Sequence, residues 1–261
     1  MIFKHFHLSG NPFSETTDLE HIQLDGRFNS ALAPLLSWPD IGNIATLTGR
    51  TGTGKTTLLR HVMQTWRKNN DVYYLHLGNL NGAGLFRSIL TTLGERPRMG
   101  KDRMFDQLYT HLSKKQRPLF LLIDEVQLMD ITSMTDLRLL GGHLDLAGRF
   151  KLVLAGQPQM RRTLQADSLT DLRERISLNV HLKSMTLPET HLYLDHRIEQ
   201  VGPVKQPLFD EDSVKLIFHH SEGVPRRVNS VALKAMLTAF QRGCKDVDGS
   251  VVQEVCAAEQ G

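Results

Sequence analysis

Two short stretches of the chain carry side chains whose types and spacing could do phosphate chemistry. The first, Gly49-Arg50-Thr51-Gly52-Thr53-Gly54-Lys55-Thr56, satisfies G-x-x-x-x-G-K-[ST] in full and runs on into Thr57. Glycines at these spacings let backbone N–H groups curl around an anion, and a helix that starts at the end of the loop adds a favourable dipole. Lys55 would then reach the β- and γ-phosphates of a nucleoside triphosphate, and the Thr56 hydroxyl would ligate Mg²⁺. A Gly-rich turn can also arise by chance, so the flanks decide. Ile44 to Thr48 is a β-prone run, and Leu58, Leu59, Val62, Met63 and Trp66 recur with helical spacing beyond the loop. Strand, loop and helix are the context the mechanism requires.

The second stretch is Asp124-Glu125, which closes the apolar run Leu119-Phe120-Leu121-Leu122-Ile123. Both carboxylates emerge at the C-terminal edge of a buried strand, where α/β proteins bind ligands. Asp124 is expected to hold Mg²⁺ through water and Glu125 to polarise the attacking water. Taken alone, an apolar run ending in two acids also fits a solvated strand end; the phosphate loop upstream tips the reading. A Glu directly after the metal carboxylate points to hydrolysis rather than nucleotide sensing.

Two further polar positions follow strands. Lys151-Leu152-Val153-Leu154-Ala155 runs into Gly156-Gln157-Pro158, where the Gln157 amide could orient a lytic water; a plain turn residue fits the same letters. Leu172-Arg173-Glu174-Arg175-Ile176 precedes an edge strand expected over 178–182, and an Arg here could reach a neighbouring subunit's γ-phosphate. A salt-bridged surface helix explains these residues equally well.

The elements that must position these groups alternate. Strands are expected at 44–48, 72–77, 119–123 and 151–155, with helical stretches between them, which implies an α/β fold: a parallel sheet covered by helices on both faces. After Met185-Thr186-Leu187-Pro188 the pattern turns helical, at about 188–201, 210–220, 225–242 and 248–258. The expected organisation is an N-terminal arm over 1–30 lying on the core through Phe3, Phe6, Leu8, Phe13 and Ile22, a nucleotide-binding α/β core over 31–186, and a small helical lid over 187–261.

Composition removes other classes. With 40% hydrophobic and 23% charged residues the chain is that of a globular protein, not a disordered one. Cys244 and Cys256 are its two cysteines, which gives neither a disulfide framework nor a metal-ligand set, and a reducing cytoplasm is the expected compartment. No apolar run is long enough to span a bilayer. The net charge of +3 is too small to argue for a polyanionic partner by itself.

The order of these motifs, with Gly223-Val224-Pro225-Arg226 in the helical tail, resembles the AAA+ superfamily. More narrowly, Asn11-Pro12-Phe13, Ala155-Gly156-Gln157-Pro158, the stretch from Glu189 to Arg197 and the run from Ser221 to Asn229 resemble the ExeA-like ATPases, a group similar to the TniB/TnsC-type ATPases of transposons. The resemblance implies a five-stranded core, ATP and Mg²⁺, Gln157 in the sensor 1 place, Arg175 in the arginine-finger place with Arg173 competing, and Arg226 in the sensor 2 place. It also implies a head-to-tail ring or filament. Two roles share this engine: a transposition regulator that assembles on double-stranded DNA with ATP and recruits or stimulates a transposase, expected first, and an ATPase of type II secretion or pilus assembly. For the DNA role, Arg96, Arg98, Lys101 and Arg103 form the candidate phosphate-contacting patch, although Glu95 and Asp102 dilute it and a solvated loop fits as well. Lys114, Lys115 and Arg117 read as solubilising charge.

Overall fold

In the computed structural model, residues 2–14, 25–78, 82–142, 150–202 and 207–258 are described. They form two compact units: Ser30–Thr51 with Lys55–Leu182, and Met1–Asn29 with Gly52–Gly54 and Lys183–Gly261.

The first unit is α/β. Its strands are β1 (Ile44–Thr48), β2 (Asp71–His76), β3 (Leu119–Asp124), β4 (Phe150–Gly156) and β5 (Ile176–His181), in the order β2-β3-β4-β1-β5. Every pairing in this sheet is parallel. The inner strands β1, β3 and β4 are buried along their whole length, whereas the edge strands β2 and β5 alternate buried with half-exposed or exposed positions. That contrast follows from position, because an inner parallel strand is covered on both faces and must be apolar throughout. β5 begins two residues earlier than the alternation suggests.

Helices α1 (Ile2–His5), α2 (Gly26–Ser37), α3 (Lys55–Trp66), α4 (Gly82–Thr92), α5 (Lys101–Lys114), α6 (Ile131–Gly142), α7 (Gln159–Thr163) and α8 (Thr170–Glu174) precede or flank the sheet in chain order. The helical tail supplies α9 (Leu187–Glu199), α10 (Glu211–Ser221), α11 (Pro225–Arg242) and α12 (Gly249–Ala258). Leu58, Leu59, Val62, Met63 and Trp66, the periodic residues of α3, are all buried. Among the described residues no helix is long and apolar enough to cross a membrane.

The second unit has its own core. Leu194, Ile198, Phe209, Val228, Ala235, Met236 and Val252 pack with Phe6, Leu8 and Phe13 of the N-terminal arm. Three of the anchors expected for the arm over 1–30 thus belong to the core of this unit; Ile22 lies outside the described residues. The cause is polar as well as apolar. Arg197 is buried and needs acceptors, which the arm supplies: Nε donates to the Pro12 carbonyl at 2.6 Å and Nη2 to the Ser14 carbonyl at 2.7 Å. A half-built pairing here would strand a buried charge.

The start of α9 is closed by a capping box, Thr186 and Glu189 each satisfying the other's backbone N–H, with Pro188 in the first turn. The turn before α11 depends on Gly223, whose φ is +64° and where a Cβ would come within 2.0 Å of the Met185 carbonyl oxygen. Gly243 also has positive φ, +71°, but open space around it. Strain alone costs about 1 kcal/mol for a side chain at such φ. Gly243→Ala should therefore lower stability by about 1 kcal/mol, and Gly223→Ala by clearly more, about 3 kcal/mol, read from urea midpoints by far-UV circular dichroism. Equal losses would contradict the close approach to Met185.

Candidate nucleotide site

The phosphate loop grows from the buried end of β1 and enters α3, and its first residue is tied to the next strand over, Gly49 N–H donating to the Gly156 carbonyl at 3.2 Å. Gly54 adopts φ +101°, a backbone no bulky residue takes readily. Lys55 is almost fully buried, and its ammonium is held over the loop's own carbonyls, 3.0 Å from Gly49 O and 3.2 Å from Arg50 O. A cation is thus fixed within the loop whose N–H groups favour an anion.

Asp124 has no solvent exposure. Its Oδ2 accepts from the Thr56 hydroxyl at 2.7 Å and from the Tyr74 hydroxyl at 2.9 Å, while Oδ1 accepts from the N–H of Glu125 at 2.9 Å. Three donors on one buried carboxylate fix its orientation. Tyr74 carries the reciprocal effect: burial first, and then the negative charge of Asp124, push its hydroxyl well above the usual tyrosine range. Tyr74 was legible only as a β-prone letter; the β2–β3 register, with His76 beside Asp124, brings its hydroxyl to that carboxylate.

Glu125 departs from the strand in the left-handed region, φ +61°, a strained setting for a non-glycine residue. The Gln127 side-chain amide donates to its Oε2. The same amide's Oε1 accepts from the backbone N–H of Gln157 at 2.9 Å, so Glu125 and Gln157 are joined through one side chain. Gln127 carried no motif; an amide two residues past Glu125, between Val126 and Leu128, was the available signal.

Residues 42–164 match the family model described as AAA domain. Over 263 aligned residues the chain is 29% identical to General secretion pathway protein A of Aeromonas hydrophila, an alignment covering 96% of this chain and 47% of that protein. The chain thus spans about half the length of the curated relative it matches. Among solved structures it is similar to Cdc6p from Pyrobaculum aerophilum, with TM-score 0.72, 20% identity, and coverage of 90% of this chain and 67% of the other. It is also similar to the Aeropyrum pernix ORC1 protein in complex with DNA, with TM-score 0.65, 18% identity, and coverage of 95% and 67%. At these identities the two structures show the fold alone, a five-stranded parallel sheet flanked by helices.

Beyond the matched span of the AAA domain, the two candidate finger residues differ. Arg173 is half-buried and turned inward, Nη1 donating to the Leu164 carbonyl and Nη2 to the Thr170 hydroxyl, both at 3.3 Å. Arg175, at the entry to β5, is exposed. Arg226 lies at the start of α11, exposed, and its backbone N–H donates to the Gly52 carbonyl at 3.3 Å. Within that same unit Arg27 donates to the carbonyls of Thr53 at 2.8 Å and Lys183 at 3.1 Å, a role sequence reasoning missed because nothing local marks it. Arg50 and Thr51 are exposed, Thr53 is buried, and Gly52, Gly54, Thr56 and Thr57 are intermediate.

The basic segment is split. Arg96, Arg98 and Arg103 are exposed, but Lys101 is drawn to the buried Asp136 at 2.8 Å. Arg98 lines one cleft with Lys114 and Lys115. Lys115 also pairs with Asp71 at 2.8 Å.

Tyr74→Phe removes one donor from the buried carboxylate. We expect it to lower stability by about 2 kcal/mol in the absence of nucleotide, read from urea midpoints. An unchanged midpoint would contradict the assigned hydrogen bond.

Proposed function

We propose that this chain is a Mg²⁺-dependent ATPase, and the observation that carries the reading is the Thr56 hydroxyl on the buried Asp124 carboxylate with Glu125 directly beyond it. The donor set fits Mg²⁺, a hard ion that takes few protein oxygens and keeps several waters. When bound, Mg²⁺ would neutralise charge on the triphosphate. The protein's own part begins with the loop from Gly49 to Thr57, whose N–H groups bind the phosphates while the Lys55 ammonium exchanges its carbonyl partners for phosphate oxygens. Thr56 and Asp124 hold the ion, Glu125 takes the proton of the attacking water, and Gln157 orients that water. Arg226 is the nucleotide-sensing residue of the helical tail. Arg175, exposed at the entry to β5, is the finger offered to a neighbouring subunit.

A residue donated across an interface makes a heterologous contact, so ATP should drive a head-to-tail ring or filament. For the partner, a secretion or pilus-assembly role is taken first, because the relative that supports it, General secretion pathway protein A, aligns along almost the whole chain. Its assumed compartment is the cytoplasm, where ATP is supplied. The second reading, a transposition regulator on double-stranded DNA with a transposase as partner, is favoured by the exposed Arg96, Arg98 and Arg103 and the neighbouring Lys114.

Three measurements test these assignments. Lys55→Ala should abolish ATP binding, whereas Glu125→Gln should keep ATP and lose turnover, followed by a fluorescent ATP analogue and phosphate release. Comparable ATP affinity in Lys55→Ala would overturn the site. Arg175→Ala should remove ATP-driven assembly in sedimentation while Arg173→Ala retains it; the reverse result moves the finger by two residues. On a random duplex, each of Arg96→Ala, Arg98→Ala and Arg103→Ala should lower the salt slope of ATP-dependent binding by about one unit, and Lys101→Ala should leave it unchanged. No ATP-dependent DNA binding at low salt would remove the transposition reading.

A further inference from the structure

One side chain, Gln127, touches both polar strand ends of the site. Its Nε2 donates to Glu125 Oε2 and its Oε1 accepts from Gln157 N–H at 2.9 Å. The two strands concerned, β3 and β4, are neighbours in the sheet, and β4 lies between β3 and the loop-bearing β1. Glu125 is therefore drawn sideways from its own strand end toward the strand that adjoins the phosphate loop.

The surroundings are shaped to admit this amide. A Cβ on Gly156, the last residue of β4, would meet Gln127 Oε1 at 2.8 Å and Met160 Sδ at 3.3 Å, so a side chain there would push the amide from its place. The short turn after Glu125 is itself fixed, with Leu128 N–H on Glu125 O at 2.9 Å and Met129 N–H on Val126 O at 3.0 Å. Glu125 pays for its left-handed backbone, φ +61°, in strain, and such strain persists where surrounding contacts over-determine it.

Residue type explains why an amide stands here. A carboxylate needs a donor and a backbone N–H needs an acceptor, and a primary amide supplies both at once. Glu at 127 would keep the acceptor but repel Glu125, and Leu would supply neither. We infer that Gln127 is a positioning residue for hydrolysis, an amide clamp that couples the Gly156–Gln157 turn to the orientation of the Glu125 carboxylate. The inference rests on the ATPase reading and deepens it: a movement of the turn is passed to Glu125 through one side chain. Hydrogen-bonded groups that orient a reacting group typically change activity by about 10- to 100-fold when removed.

The test uses the full chain, steady-state phosphate release, binding of a fluorescent ATP analogue, and hydrogen exchange at the Gln157 amide in the protein without added nucleotide. Gln127→Leu should lower kcat by about 10- to 100-fold with KM for ATP unchanged, and should accelerate exchange at Gln157. Gln127→Glu, close to isosteric, should lower kcat equally while leaving the Gln157 amide protected, a split that a general loss of packing would not produce. Gly156→Ala should lower kcat alone but add little in the Gln127→Leu background, because the atom it displaces is gone. Turnover within twofold of wild type in both Gln127 variants overturns the clamp, and so does a KM that rises as much as kcat falls. A wild-type chain that binds ATP and shows no turnover overturns the ATPase reading instead, which is distinguishable because the clamp then has no rate to control.

Discussion

A carboxylate with no solvent exposure needs hydrogen-bond donors, and Asp124 is matched by hydroxyls from two elements and by the backbone that follows it. Each donor arrives by a different route. Thr56 comes with the first turn of α3, Tyr74 with the edge strand β2, and the Glu125 N–H with the backbone leaving β3. The order β2-β3-β4-β1-β5 is what makes these routes converge, because it sets β3 beside β2 on one side and beside β4, then β1, on the other. The buried inner strands stabilise the sheet, and their C-terminal ends carry the polar groups the site uses.

The same economy governs the loop. Lys55 is buried against Gly49 and Arg50 carbonyls, so its charge is compensated locally. A triphosphate would offer stronger acceptors to the same ammonium, and charge-assisted bonds to phosphate are favoured over neutral carbonyls. In the helical unit, Arg226 N–H on Gly52 O and Arg27 on Thr53 O give the middle of the loop its own supports.

Much of this was legible in the sequence because its causes are local. The loop pattern, the apolar run ending in Asp124-Glu125 and the parallel alternation each follow from neighbouring residues. Tyr74, Gln127 and Arg27 were not legible, since their partners are set by strand register, by a turn and by tertiary contact. The arm illustrates the same limit: Phe6, Leu8 and Phe13 announce burial, but only the buried Arg197 and its need for the Pro12 and Ser14 carbonyls decides which core receives them. The pairing of Lys101, a member of the expected DNA-facing patch, was hidden because Asp136 is 35 residues away in the chain and 2.8 Å away in space. Charge patches read from sequence lose members in this way whenever a buried acid lies within reach.

The central claim is that Asp124 is the metal-holding carboxylate on which the site is organised, and the most direct measurement is ATP affinity with Mg²⁺ against EDTA for wild type and Asp124→Asn. The account predicts clearly tighter binding with Mg²⁺ in the wild type and no difference between the two conditions in Asp124→Asn, with the variant still binding the metal-free nucleotide through the loop. Wild-type affinity that is indifferent to Mg²⁺, or a Mg²⁺ enhancement that survives Asp124→Asn, would contradict it.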